Sequence, residues 1–258
     1  MRQSTALDSA AQRLRDLHQI GRPLLLVNVW DAAGAQAVEA AGSPVIATSS
    51  VAMAGVRGGS DGNRDRESAF AQLRQITAAV GVPVTADLEG GYDLSPGDFV
   101  DAMLDAGAVG CNIEDTDHAS GTTLLDAEAH AGYLAGIRAA AEERGLGIVL
   151  NARIDAIIRH PQRDPSAALD EVLRRARLYF EAGVDCVYPI SLRDPVLVAR
   201  VVKELDRPVN VNPSDPIAAL AEAGAARISL GGGVHNWMIR ELKQRTRRLL
   251  AGDATAFA

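Results

Sequence analysis

A chain of 258 residues, 47% hydrophobic and 23% charged, has the makeup of a globular protein with material for a large core. Its formal net charge of −7 excludes a broad nucleic-acid-binding face, which would need clustered Lys and Arg. Aromatics are only 4%, and Ala, Val, Leu and Ile carry the apolar content, a mixture suited to helices packed on buried parallel strands.

Residues 7–20, with Leu7, Ala10, Leu14, Leu17 and Ile20 at helical spacing, predict an N-terminal lid helix. Arg2, Asp8, Arg13, Arg15 and Asp16 interrupt any signal-peptide core there, and no apolar stretch reaches the ~18 residues of a membrane span. The cytoplasm is the expected location, with no membrane partner. Beyond residue 22 the chain repeats one unit: a short β-branched run, a polar loop and an amphipathic helix. Strands are predicted at 24–30, 45–50, 82–89, 109–115, 148–155, 186–190, 208–213 and 227–231, with helical patterns between them such as 98–106, 127–144 and 167–182. Gly107 and Gly183, each following Ala at a helix end, read as left-handed helix terminators. Cys111 and Cys186 lie in apolar runs and are expected as buried free thiols.

Strict alternation of strand and helix implies a parallel sheet, and eight units imply a (β/α)8 TIM barrel. The open doubly wound alternative usually has a glycine-rich turn after its first strand, where Val29-Trp30-Asp31-Ala32 stands here. No Pro/Gly/Ser-rich linker divides the chain. The expectation is one domain over 1–258, with the N-terminal helix in 1–22 and a C-terminal helix and tail in 234–258.

In such barrels the chemistry gathers at the carboxyl ends of the strands. There the sequence places Asn28, Ser49 and Ser50, Asp87 and Glu89, Glu114 and Asp115, Asn151 and Arg153, Asn210 and Asn212, and the Gly231-Gly232-Gly233 run. Asp87 and Glu89 are two apart, so an extended strand would point both carboxylates to one face, where they repel unless a cation or proton separates them. With Glu114 from the next strand, three acids suit Mg2+, a hard ion that keeps part of its water shell; one of them bridging Arg153 is the competing arrangement. Arg153 has the fork geometry for a carboxylate or phosphate, and Ser49 and Ser50 offer hydroxyls and amides for an oxyanion. The three glycines could cradle phosphate or simply turn the chain. His235 reads as a helix-start residue.

Five motifs in order make the sequence similar to the isocitrate lyase/phosphoenolpyruvate mutase superfamily, from about residue 24 to residue 233. They are Asn28-Val29-Trp30-Asp31-Ala32-Ala33, Ala47-Thr48-Ser49-Ser50, Asp87-Leu88-Glu89-Gly90-Gly91-Tyr92, Asn112-Ile113-Glu114-Asp115 and Asn151-Ala152-Arg153. The resemblance implies a Mg2+-dependent barrel (Mn2+ could substitute), with Asp87 as the metal ligand and Glu89 and Glu114 holding the ion largely through water. It implies that Ser49, Ser50, Val51 and Arg153 grip a 2-oxo acid or its enolate. Asp61 looks like the family's loop aspartate near the metal, and Asn212 like the asparagine that meets a substrate carboxylate in the lyase branch.

The loop after the fourth strand departs from that pattern. The lyases carry a Lys-Lys/Arg-Cys-Gly-His sequence there, whose thiol is the acid/base. Here it reads Thr116-Asp117-His118-Ala119-Ser120-Gly121-Thr122-Thr123, and the lyase glutamate of strand six is replaced by Tyr188-Pro189-Ile190. The Lys and Asn-Ser of the mutase gate are missing too, so the chain resembles a mutase-like branch in which Asp117, His118 and Ser120 are the loop groups available for proton transfer, His118 foremost. The expected function is a Mg2+-dependent lyase or phosphonomutase-type enzyme acting on the C–C or P–C bond beside a 2-oxo or 2-hydroxy acid. The alternatives are an oxaloacetate decarboxylase, a phosphonopyruvate hydrolase, or a degenerate protein that binds metal and 2-oxo acid without turnover. A homodimer or homotetramer is the expected assembly.

Overall fold

The structure, a computed structural model, describes residues 2–60, 62, 65–120 and 123–258, with backbone alone for 2–4. The eight predicted strands are all present, each shorter than its apolar run. They are β1 (Leu24–Leu26, resuming as Asn28–Val29), β2 (Ile46–Thr48), β3 (Val84–Asp87), β4 (Gly110–Glu114), β5 (Val149–Ile154), β6 (Cys186–Pro189), β7 (Asn210–Val211) and β8 (Arg227–Ser229). All pair in parallel. The ladder runs without a break from the second segment of β1 through β2, β3, β4 and β5 to β6. The first segment of β1 pairs instead with β8, which pairs with β7. Between β6 and β7 only the isolated parallel bridge Val187–Val209 is made. This is the α/β barrel expected from the alternating pattern.

Two apolar layers hold it. Outward-facing strand residues such as Ile46, Ala86, Ile113, Ala152, Val187 and Ile228 pack on the surrounding helices in one large cluster. The inward-facing Leu24, Leu26, Val45, Ala47, Val109 and Val149 make a second, smaller cluster with Ala11 and Leu14 of α1 (Arg2–Asp16). The N-terminal helix is therefore a lid on the amino-terminal end of the barrel, away from the strand ends that carry the acids. Gly110 leaves room for it: a Cβ there would lie 2.7 Å from Leu14 Cδ2 and 3.0 Å from the Val149 carbonyl. Charge fixes the same joint. Asp185 accepts from Arg15 Nε at 2.9 Å, from Arg138 Nη2 at 2.6 Å and from the Leu150 amide at 2.8 Å.

At the other end, Thr116–Asp117 and Thr123–Leu124 form a short antiparallel hairpin after β4. Asp115, wholly buried, anchors its base by accepting from the Asp155 amide at 2.8 Å, Tyr179 OH at 2.7 Å and Arg175 Nη1 at 3.0 Å. Gly107 and Gly183 have φ of 81° and 89°, as their helix-ending role requires. Cys111 and Cys186 are buried free thiols, and burial pushes both up to about 12, so neither supplies a thiolate at neutral pH. Among the described residues no helix is long and apolar enough to cross a membrane.

Candidate active site

At the carboxyl ends of the strands lies a cavity of about 160 Å³ lined by polar side chains from nearly every strand. Asp87 ends β3 in its wall. Its Oδ2 accepts from the Ser50 amide at 3.0 Å and the Ser50 hydroxyl at 2.8 Å, and its Oδ1 accepts from Asn112 Nδ2 at 2.9 Å. Asn112 Oδ1 accepts in turn from Asn151 Nδ2 at 2.8 Å, so two amides relay from β5 to hold this carboxylate. Ser50 can reach Asp87 because Ser49, with extended φ of −134°, breaks the chain from β2 into the helix Ser50–Val56. Asn28 ties the ring on the other side, donating to the Thr48 carbonyl at 2.7 Å and accepting from the Gly231 amide at 2.8 Å.

Arg153 is the cation beside the acids. It donates Nε to Asp155 Oδ1 at 2.6 Å and Nη2 to Asp155 Oδ2 at 3.0 Å, and its Nη1 pairs with Glu114 Oε2. Burial opposes its charge, but Asp155 and Glu114 outweigh burial and hold its pKa well above the usual arginine range. The competing arrangement, a bridge from Arg153 to Glu114, is thus made without removing Arg153 from the cavity wall. Glu114 Oε1 meets His118 Nε2, four residues on, just past the first strand of the hairpin. Burial raises the Glu114 pKa most; Arg153 and His118 counter it, while Asp155 and Asp87 add to it.

The three acids occupy unequal places. The extended register expected to aim Asp87 and Glu89 to one face stops at Asp87, because Glu89 takes a left-handed φ of 51°. Glu89 instead lines a neighbouring cleft with Gly90, Tyr92, Thr116 and His118. Among the described residues, no three Asp, Glu, His or Cys side chains converge as a ready-made metal cage. The donor chemistry fits Mg2+ in a narrower way: an all-oxygen set centred on Asp87 in the cavity wall, with Glu114 near enough that the two negative charges act on each other.

Ser49, Ser50 and Arg153 line the cavity. Asn212 stands behind it, accepting from the Ser191 amide at 2.7 Å and donating to Tyr188 OH at 2.8 Å, while Tyr188 itself lines the cavity. Asp61 lies outside the described residues. His235 begins the last helix, Gly233–Leu250, and stacks edge-on against Trp30 at 4.9 Å between centroids. Sequence reasoning missed Tyr188 and Arg227 as lining residues. Arg227 and Ser229 alternate inward on β8, a period-two signal obscured by the short run and the glycines after it.

Residues 14–250 match the family described as phosphoenolpyruvate phosphomutase. This chain belongs to that family. It is similar to several further proteins. An uncharacterized Mycobacterium tuberculosis protein is 32% identical over 84% of this chain and 80% of its own length. The 2-methylisocitrate lyase of Halalkalibacterium halodurans is 24% identical over 88% and 72%. A solved Burkholderia cenocepacia protein, provisionally named a phosphonomutase, is 34% identical with a TM-score of 0.87, covering 94% of this chain and 99% of that one. Family members include lyases and mutases, so this mutase-family cavity sits in an enzyme-bearing lineage at the position where barrels do chemistry.

Proposed function

We propose that this protein is a Mg2+-dependent lyase or phosphonomutase-type enzyme, breaking or rearranging the C–C or P–C bond beside a 2-oxo or 2-hydroxy acid. The observation that carries this reading is Asp87, held by Ser50 and Asn112 in the wall of a small polar cavity that also presents Arg153. Asp87 would hold the ion directly, with Glu89 and Glu114 acting through water. Bound there, Mg2+ would stabilise enolate charge on a 2-oxo acid. Mn2+ offers the same hard-oxygen chemistry.

The chain's own groups do the rest. Arg153, its orientation fixed by Asp155, presents a guanidinium to a substrate carboxylate. Ser49 and Ser50 bring hydroxyls and backbone to the same wall. Asn212 acts through Tyr188, fixing the phenol at the cavity edge. His118 Nε2, against Glu114 in the neighbouring cleft, is the group we assign to proton transfer. Asp61, which lies outside the described residues, is the acid that the family resemblance adds to this set. Oxaloacetate decarboxylation and phosphonopyruvate hydrolysis use the same enolate logic and remain alternatives within it, as does metal and 2-oxo acid binding without turnover. The absence of a lyase-type thiol from the hairpin favours substrates other than isocitrate.

The test is incubation with Mg2+ and a panel of 2-oxo acids, 2-hydroxy acids and phosphonopyruvate, following pyruvate release. Asp87→Ala and EDTA should each abolish turnover. Activity that persists in both would remove the metal mechanism; oxalate binding that needs Mg2+, without turnover of any substrate, would select the degenerate reading.

A further inference from the structure

Among the described residues three arginines are buried: Arg153, Arg175 and Arg227. Two of them face carboxylates. Arg153 pairs with Glu114 and Asp155, and Arg175 with Asp115 and Glu171. Arg227 differs. It is 3% exposed, it projects inward from β8, and the partner recorded for it is neutral: its Nε donates to Ser229 Oγ at 3.1 Å. Among the described residues, no carboxylate forms an ion pair with it, and its Nη1 has no hydrogen-bond partner. Yet it lines the same cavity as Asp87 and Arg153.

A guanidinium stays protonated at any working pH, so this is a fixed positive charge removed from water with no ion-paired carboxylate among the described residues. Burial is the main cause that lowers its pKa, with only weaker opposing contributions from Cys186, Tyr188 and Asp87. The acid among these, Asp87, makes no ion pair with it and is held instead by Ser50 and Asn112. Such an arrangement is costly in an empty protein and is relieved by an anion entering the cavity. With Arg153 already tied to two carboxylates, Arg227 is the less satisfied of the two cations that line it.

We propose that Arg227 is a second anion anchor, which takes a second carboxylate of the substrate and so selects dicarboxylic over monocarboxylic 2-oxo acids. The proposal rests on the functional reading above and deepens it. A cavity of about 160 Å³ suits a compact ligand of this kind, with one end toward Arg153 and the other toward Arg227. Arg227 is then a specificity residue: a monocarboxylate would leave its buried charge unrelieved, which is how a site built for a polar group rejects the analogue that lacks it.

Calorimetric titration of the whole protein with 2-oxosuccinate, 2-oxobutyrate and malonate, in Mg2+ buffer, tests it. The wild type should bind 2-oxosuccinate on the order of tenfold or more tighter than 2-oxobutyrate. Arg227→Gln should collapse that ratio to about unity while leaving 2-oxobutyrate affinity within a few fold, and Arg227→Lys should keep a reduced preference. A wild type without any dicarboxylate preference overturns the proposal whether or not the glutamine variant folds. So does a glutamine variant that keeps the full ratio, which would leave Arg227 holding internal water only. If 2-oxobutyrate binds but no preference depends on Arg227, the anchor fails and the functional reading stands. If malonate binds through Arg227 while neither 2-oxo acid does, the anchor stands and the functional reading fails.

Discussion

His118 and Glu114 illustrate how one contact can serve two purposes. Glu114 is buried with its two oxygens assigned, one to Arg153 and one to His118, so the imidazole is held by a carboxylate that is itself fixed. An oriented imidazole of this kind is a competent proton carrier. His118→Gln keeps a donor for Glu114 but cannot carry a proton. It should lower kcat by on the order of 10²-fold or more with KM within a few fold, as measured by steady-state kinetics on whichever substrate the panel identifies. A rise in KM with kcat unchanged would instead mark His118 as a binding group. The sequence exposed His118 as a loop histidine, but not its partner. Glu114 was legible as a metal candidate because a strand-end acid is visible in one dimension, whereas its engagement by Arg153 and His118 depends on how β4, β5 and the hairpin meet.

At the scale of elements, the eight strands were readable because buried parallel strands are continuous apolar runs with clear breaks. Their ends were not. β3 was expected to carry Glu89 in register with Asp87, and it stops two residues earlier where the backbone turns left-handed. A Glu gives no warning of positive φ, unlike the Gly residues around it. Similarly, α1 announces itself by helical spacing, but which end of the barrel it covers follows from the match between Leu14 and the space above Gly110. That match makes a prediction. Gly110→Ala would force a Cβ against Leu14 and the Val149 carbonyl, and should destabilise the fold by about 1–3 kcal/mol in denaturant unfolding. Ligand affinity should change little, because the cavity lies at the opposite end. Loss of affinity without loss of stability would contradict this division of labour.

For the molecule as a whole, acid sensitivity follows from two buried histidines. Burial, the leading cause, lowers both His18 and His130 to about 4, with Arg227 adding to the effect at His18 and Arg175 at His130. In the unfolded chain each would titrate near 6.5. Between those values the unfolded state binds protons that the folded state refuses, so stability rises with pH across the window and is lost as pH falls from about 6.5 toward 4. Each histidine contributes on the order of 1–3 kcal/mol. Thermal melting from pH 7 to pH 4.5 should show a falling midpoint, and replacing His130 by Phe should flatten the slope; an unchanged slope would exclude His130 as a source. Assembly is the other whole-molecule property. No residue of the last helix is fully buried, and Trp237, Ile239, Leu242, Leu249 and Leu250 stand exposed along it. Apolar surface of this extent predicts self-association into a dimer or tetramer. Sedimentation velocity should find it, and Leu242→Glu should shift the population toward monomer.

The seal that α1 places on the amino-terminal end turns the barrel into a vessel with one opening. Whatever reaches Asp87 arrives from the carboxyl-terminal side, where Ser50, Val51, Ile190 and Gly232 line the cavity. A bond-breaking reaction yields two fragments, and with a single doorway they depart in sequence, the outer one first. The later fragment then competes directly with incoming substrate, so product-inhibition patterns would reveal which half of the molecule sits deepest.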